Sequence, residues 1–346
     1  MRTKKTSHSF QSNIQLPTLS NAYSCTGTQK CFDGKTFKQT ADPLHNIEKG
    51  PLVLNAQNYP SITSFVFTSC KWQSCKGGTG GGIYSTKSGS TLKVISCYFH
   101  DCYAENDFGG GIATEFLDNV YIYSSSFVAC HGKQIPNTNS GGGAVFLNDT
   151  KQCHQIHDCD FIGCFCGADG GALHLRYSKV MQIDGIANAR FVDCKSIYET
   201  FGVEGGALQS WTVTVTCSFS NSLITKCHSY VGGGFYFQVK DGYANNIILF
   251  CLFNDNTATD NGNDMGVSNF WATNGNFFKH SFSTSKSCRV YYYDTAWHNT
   301  DVNWLPLTDF AIKLLDPLVT PNEISSHNRT HDDTDAELFY FYPLDE

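Results

Sequence analysis

A run of two or three glycines followed by a small or apolar residue recurs about every thirty residues, a period that sets the fold class of this chain before any other consideration. The runs are Gly80-Gly81-Gly82-Ile83, Gly109-Gly110-Gly111-Ile112, Gly141-Gly142-Gly143-Ala144, Gly170-Gly171-Ala172, Gly205-Gly206-Ala207 and Gly232-Gly233-Gly234-Phe235. The residue after the glycines falls at 83, 112, 144, 172, 207 and 235, giving steps of 29, 32, 28, 35 and 28. A second mark shares the period, an aromatic or aliphatic residue three positions before a cysteine. It occurs at Phe67/Cys70, Phe99/Cys102, Phe127/Cys130, Phe161/Cys164, Phe191/Cys194 and Ile224/Cys227, then as Phe253/Asn256 with asparagine in place of the thiol.

Between the marks lie short alternating apolar runs such as Leu92-Lys93-Val94-Ile95 and Val120-Tyr121-Ile122-Tyr123. Beta-branched and aromatic residues bounded by Gly, Asn, Asp and Ser read as strands. No segment between 60 and 270 carries three turns of helical periodicity. The repeat unit is therefore one coil of a solenoid, and the expected fold is all-β, a single right-handed parallel β-helix of about seven rungs. Equivalent residues of successive rungs would stack at about 4.8 Å, the spacing of neighbouring strands. Phe67, Phe99, Phe127, Phe161, Phe191, Ile224 and Phe253 would then form one apolar row inside the tube, each burial contributing roughly 1.5 to 3 kcal/mol. The glycines serve backbone geometry at a corner. A phosphate-cradling loop would need a following Lys-Ser/Thr and a helix, and neither is present.

Lys and Arg number 24 against 31 Asp and Glu, a net charge of −7, which argues against nucleic acid as a partner. Residues 6 to 24 hold no apolar stretch of signal-peptide length, and the run from Ile247 to Phe253 is too short to cross a membrane, so neither leader, anchor nor transmembrane segment is expected. No cofactor motif is found. Six of the 16 cysteines share one register of the repeat, where a buried free thiol behaves as a small hydrophobe. Bridges across a bend, as at Cys97/Cys102 and Cys159/Cys164, or between adjacent rungs are the other possibility. The sequons at Asn148 and Asn328 matter only in a secreted chain.

Three regions follow: 1–55 as an N-terminal cap and irregular first coil, 56–270 as the repeats, and 271–346 as a C-terminal cap. Open strand edges at both ends need cover. Leu307, Phe310, Ala311, Leu314 and Leu315 follow helical spacing between Pro306 and Pro317, a short helix placed to cover the last rung. Asp332, Asp333, Asp335 and Glu337 read as a solvated acidic run.

Two clusters carry candidate chemistry. The residue before the Gly-Gly pair is Gly on four of the six marked rungs but Asp169 and Glu204 on the other two. Register equivalence would set these carboxylates at roughly 5 Å, near the separation of a retaining glycosidase pair. His174 and Gln209 are register-equivalent in turn and would face the same groove. The plainer expectation is that the long coil from 172 to 207 carries Glu204 away into water. The second cluster is Cys153, His154, His157, Cys159, Cys164 and Cys166, residue types that bind zinc, although the spacing fits no finger or ribbon.

The paired marks resemble the repeat region of polymorphic outer-membrane proteins of chlamydiae, and more closely the related right-handed β-helix surface proteins of trichomonad protists. The residues that carry the resemblance are the glycine and Phe/Ile-x-x-Cys marks, Phe253-Asn254-Asp255-Asn256, and a closing Gly262-Asn263-Asp264-Met265. It covers 60 to 270 and implies a pectin-lyase-like fold with a surface or adhesion role, while the membrane barrel of the bacterial family is missing. Polygalacturonase motifs fail in order and place: Asn299-Thr300-Asp301 and Asp332-Asp333 follow the repeats, His131-Gly132 precedes both, and no Arg-Ile-Lys occurs. The expected function is non-catalytic binding of a host or self macromolecule, glycan or protein. The alternative is a carbohydrate-active hydrolase or lyase using Asp169, Glu204 and His174.

Overall fold

The fold was analysed in a computed structural model that describes residues from Cys25 to Asn299, with interruptions of which the longest are 134–140, 198–202, 240–245, 269–277 and 292–296. The cap helix expected at 307–315, the acidic run and the Asn328 sequon lie outside the described residues.

One rung shows the plan. Strands Thr91–Ile95, Tyr98–His100, Tyr103–Ala104 and Ile112–Glu115 follow one another around the tube. Each pairs in parallel with its counterpart on the next rung, so the rungs stack into four faces, numbered here in chain order. Seven consecutive rungs carry all four strands, about six turns from the first of them to the last. The chain is thus an all-β parallel solenoid, as expected. Its only described helical turn is the short one at Pro43–His45. Gln29–Asp33, Thr36–Lys38 and Leu52–Leu54 already join the first, second and fourth faces, so the solenoid begins inside the segment expected to hold a cap and an irregular first coil. A disulfide between Cys25 and Cys31 ties down its start.

The corners explain the cysteine mark. Ser69, Ser96, Ser124, Asp158, Asn188 and Asn221 turn the chain from the first face to the second with φ between +48° and +56°. Ser74, Asp101, Ala129, Gly163, Asp193, Lys226 and Asp255 turn it from the second face to the third with φ between +49° and +58°. Asn, Asp and Gly tolerate this left-handed conformation, which accounts for their frequency here. The residue after each bend points inward, and at the second corner it is Cys75, Cys102, Cys130, Cys164, Cys194, Cys227 and Asn256 in turn.

Each of these thiols has two tasks. Cys75, Cys130, Cys164, Cys194 and Cys227 donate to the carbonyls of Phe37, Phe99, Phe127, Phe161 and Phe191 on the preceding rung, at 3.3, 3.6, 3.4, 3.3 and 3.7 Å. The sulfur also accepts the corner N–H of the preceding rung, as Cys227 does from Cys194 and Cys102 from Cys75. The column is therefore one of free, buried, hydrogen-bonded thiols. Burial pushes those of Cys102, Cys164 and Cys227 well up, as it does that of Cys97 at the first corner, which keeps them protonated.

One member of the expected apolar row is misplaced. Phe99 pairs with Trp72, whereas Phe67 stands on the first face between Phe32 and Val94. Cys70 accordingly lies one rung before Cys97 at the first corner. Both corners use the same distance from strand to bend, so Phe67/Cys70 satisfies the spacing on the wrong one. The true second-face row is Phe37, Trp72, Phe99, Phe127, Phe161 and Phe191, stacked at centroid distances of 4.7, 4.3, 4.7, 5.1 and 4.8 Å and continued by Ile224 and Phe253.

The glycine register also shifts. The fourth-face equivalents are Ile83, Ile112, Val145, Leu173, Leu208, Phe235 and Met265, so the marks at 144, 172 and 207 fall one residue early. The invariant requirement is a left-handed glycine three residues before each. At Gly109, with φ +59°, a Cβ would overlap the Ile112 carbonyl oxygen. The residue before that glycine is Thr79, Phe108, Gly141, Asp169, Glu204 and Val231 in succession, so Asp169 and Glu204 replace a varied position and not a glycine column.

Candidate functional site

The fourth face alternates like any strand with one side in the core. Leu173 and Leu175 point inward, which turns His174 outward, in register with Phe146 before it and Gln209 and Tyr236 after it. These four are nonetheless buried. The residues ahead of the glycine corner lie over them: Phe108 stacks on Phe146 at 4.2 Å, and the bare Cα of Gly141 leaves the space that the His174 ring occupies.

Asp169 and Glu204 belong to this covering row. Gly170 donates its N–H to the Glu204 carbonyl at 2.9 Å, which puts Glu204 on the rung directly after Asp169. The backbone N–H of Glu204 donates to Asp169 Oδ1 at 3.0 Å. The long coil does not carry Glu204 into water, because the chain returns to the corner before Val203. The Glu204 carboxylate accepts hydrogen bonds from the Tyr236 hydroxyl and the Gln209 amide. Asp169, Glu204 and Gln209 therefore meet, as the register argument required, with His174 one rung away on the same row. Tyr236 is the member that sequence reasoning missed, although its step of 27 from Gln209 follows once the register is corrected.

Burial pushes the Asp169 carboxyl up to about 7. Glu204 is raised well above the usual carboxylate range by burial first and by the neighbouring Asp169 charge second, against the lowering effect of Tyr236 and Gln209. Neither carboxylate has an ion-pair partner among the described residues. Two adjacent acids without a cation between them hold on to a proton.

The Cys/His cluster is not brought together. In strand Cys153–His157 the residues alternate, so His154 points into the tube beside Ile156 while His157 faces outward against the Tyr123 ring at 5.6 Å. Cys159 and Cys164 occupy the two corner columns and donate to the carbonyls of Ile122 and Phe127. Cys166 accepts the N–H of Ala168 at 3.4 Å, and the Cys153 side chain lies outside the described residues. No group of three or more His, Cys, Asp or Glu is disposed to hold a metal among the described residues.

A second surface was not anticipated. Along the outside of the third face Lys76, Tyr103, His131, Phe165 and Lys195 fall in register. The three rings stack at 4.5 and 4.7 Å, and Lys76 Nζ stands 5.6 Å from the Tyr103 ring centre. All three rings are partly exposed. The signal was available, since each ring directly follows a second-corner cysteine and alternation turns it outward. Asn148 of the first sequon ends a fourth-face strand, partly exposed, with Thr150 buried.

No helix among the described residues is long and apolar enough to cross a membrane. Compared with protein-family models, curated protein sequences and solved structures, the chain matches none of them.

Proposed function

We propose that this solenoid is a non-catalytic binding protein whose ligand, a glycan chain, lies along the third face. The observation that carries the proposal is the outward stack of Tyr103, His131 and Phe165 at rung spacing. Aromatic faces with polar edges suit ligands that are apolar on one side and wet on the other, and sugar rings are of that kind. The charges beside the stack are balanced, Lys76 with Glu105 at 2.7 Å and Lys195 with Asp193 at 2.9 Å, which favours a neutral chain over a polyanion. A surface or adhesion role, and kinship with the polymorphic outer-membrane proteins and their trichomonad counterparts, belong to the same proposal and rest on the repeat marks.

A glycan array combined with a reducing-sugar assay tests it. Binding without release of reducing ends, weakened at least tenfold by Phe165→Ala, is the expected result. Capture of proteins but of no glycan would leave the stack as a protein-docking face and overturn the ligand assignment.

A second reading has its own observation, the adjacent carboxylates Asp169 and Glu204 with raised proton affinity, which is what a hydrolase or lyase would need from an acid. His174 would support them from one rung away. Turnover of a polysaccharide that disappears in Glu204→Gln would establish that reading in place of the first.

A further inference from the structure

The pair of acids at the fourth-face corner is left over by the binding reading, and its surroundings are unusual. The two carboxyl groups come from consecutive rungs and are held together by the bond from the Glu204 backbone N–H to Asp169 Oδ1 at 3.0 Å. Among the described residues no lysine or arginine answers them. Elsewhere on this molecule a closely held carboxylate is treated otherwise. Asp160, more deeply buried on the second face, takes a bidentate bond from Arg190 at 2.6 and 2.8 Å. The corner therefore gathers two carboxyl groups that a bound positive group would allow to ionise together.

A separate observation points the same way. Gln209 is 1% exposed, its amide reaches the Glu204 carboxylate, and its Oε1 has no hydrogen-bond partner among the described residues. A buried amide oxygen left without a donor costs about 1 to 3 kcal/mol, and such groups in native proteins usually mark an absent water or ion. Asp169 and Glu204 keep part of their surface in solvent, which gives an ion a way in. The interior thiols are on the other side of the backbone, and the side chains that meet here carry oxygen donors, with the His174 ring one rung away beside the Asp169 carbonyl oxygen.

From this geometry we infer that Asp169, Glu204 and Gln209 form a site for one hard divalent cation of the calcium class. Carboxylates and an amide carbonyl are the oxygen donors that calcium accepts in irregular sets of six to eight, with waters filling the rest, whereas magnesium demands a tighter octahedron. An ion there would neutralise the pair, offer Gln209 Oε1 a partner and pin two consecutive rungs at one corner. Tyr236 keeps its hydroxyl on Glu204, and His174 stays outside the ligand set against Gly141. The inference stands independently of glycan binding at the third face.

The test is calorimetric titration of the chelator-treated full chain with calcium chloride, and separately with magnesium chloride. One saturable calcium site per chain is expected, with magnesium at least tenfold weaker and with Asp169→Asn or Glu204→Gln weakening calcium at least tenfold while circular dichroism stays unchanged. Terbium luminescence sensitised through Tyr236 locates the ion without altering a ligand, and Tyr236→Phe should lower it at least threefold. Absence of saturable calcium binding to the unsubstituted protein overturns the inference whatever the variants do. So does a stoichiometric site whose affinity survives both carboxylate substitutions and whose terbium emission survives Tyr236→Phe.

Discussion

Asn256 Nδ2 donates to Asp264 Oδ1 at 3.1 Å inside the last fully formed rung, and both residues stand where earlier rungs have other types. Asn256 takes the position of the corner cysteines, donating to the Ile224 carbonyl at 3.0 Å and accepting the Cys227 N–H at 3.0 Å. Asp264 takes a position that is Gly82, Gly111, Ala144, Ala172, Ala207 and Gly234 on the rungs before it. The two exchanges are one event, because a buried acid needs the donor that a thiol column does not provide.

Asn256→Cys restores the repeat residue but withdraws a donor from Asp264, and should cost about 1 to 3 kcal/mol. Adding Asp264→Ala should recover part of that loss, with a coupling of about 0.5 to 3 kcal/mol in a double-mutant cycle followed by urea unfolding. Strict additivity of the two changes would show that the pair does not act as a unit.

Two glycines separate conformational strain from steric overlap. Gly163, at φ +58°, has open space where a Cβ would go, so Gly163→Ala should cost only the left-handed backbone term, about 1 to 2 kcal/mol. Gly109, at φ +59°, faces the Ile112 carbonyl oxygen, and Gly109→Ala should lose distinctly more. Equal melting temperatures for the two variants would contradict this account.

Trp72 is the largest ring of the interior stack, and its Nε1 has no hydrogen-bond partner among the described residues. Trp72→Phe removes that buried N–H while keeping the stack between Phe37 and Phe99. It should change stability by less than about 1.5 kcal/mol, whereas Trp72→Ala should cost about 3 to 5 kcal/mol. A Phe variant as unstable as the Ala variant would mean that indole volume, and not stacking, fills the rung.

How much of this was legible in the sequence is best seen at Phe67 and Trp72. The period announced a parallel solenoid, and Phe99 through Phe253 were assigned to the right row. Phe67 was not, because the two corners of a rung share one local spacing and only strand pairing tells them apart. The glycine marks slipped by one at Ala144, Ala172 and Ala207 for a related reason: the backbone demands glycine at the first position of the run, while a small side chain is tolerated at the third. The adjacency of Asp169 and Glu204 was inferred by register despite that slip, since both positions moved together. The outward rings at Tyr103, His131 and Phe165 are legible only by alternation from the corner cysteines, because the repeat marks themselves are inward positions.

The pH dependence of stability should carry two contributions of opposite sign whose windows overlap below about pH 6.5. Asp169 and Glu204 are raised above their unfolded values, so the stability they confer is present at acid pH and lost as pH rises, through about 7 for Asp169 and higher for Glu204. His154, enclosed in the tube, is lowered by burial to about 3, so its contribution is intact above the unfolded histidine value and lost as pH falls toward 3. In chelator, melting temperature should fall as pH rises above about 6.5, where His154 is silent, and Asp169→Asn with Glu204→Gln should flatten that fall. Below that value the histidine opposes the carboxyl groups, so His154→Gln should steepen the fall between about pH 4 and about pH 6.5. Melting curves across this range decide both, and an unsubstituted protein that gains stability above pH 7 would contradict the carboxylate contribution.

The thiol column has a direction. The second-corner cysteines from Cys130 to Cys227 reach back to the rung before them, giving their S–H to that rung's carbonyl, and Cys102 and Cys227 take that rung's N–H, so at this corner a turn of the chain is completed by the one synthesised after it. The two ends of the solenoid are therefore chemically unlike. The ladder bonds cut by removing a rung are alike at either end, but at this corner trimming from the C-terminal side opens an N–H and a carbonyl on the rung left behind, whereas trimming from the N-terminal side frees a thiol, which loses little by meeting water. Asn256 and Asp264 end the column on a different chemistry.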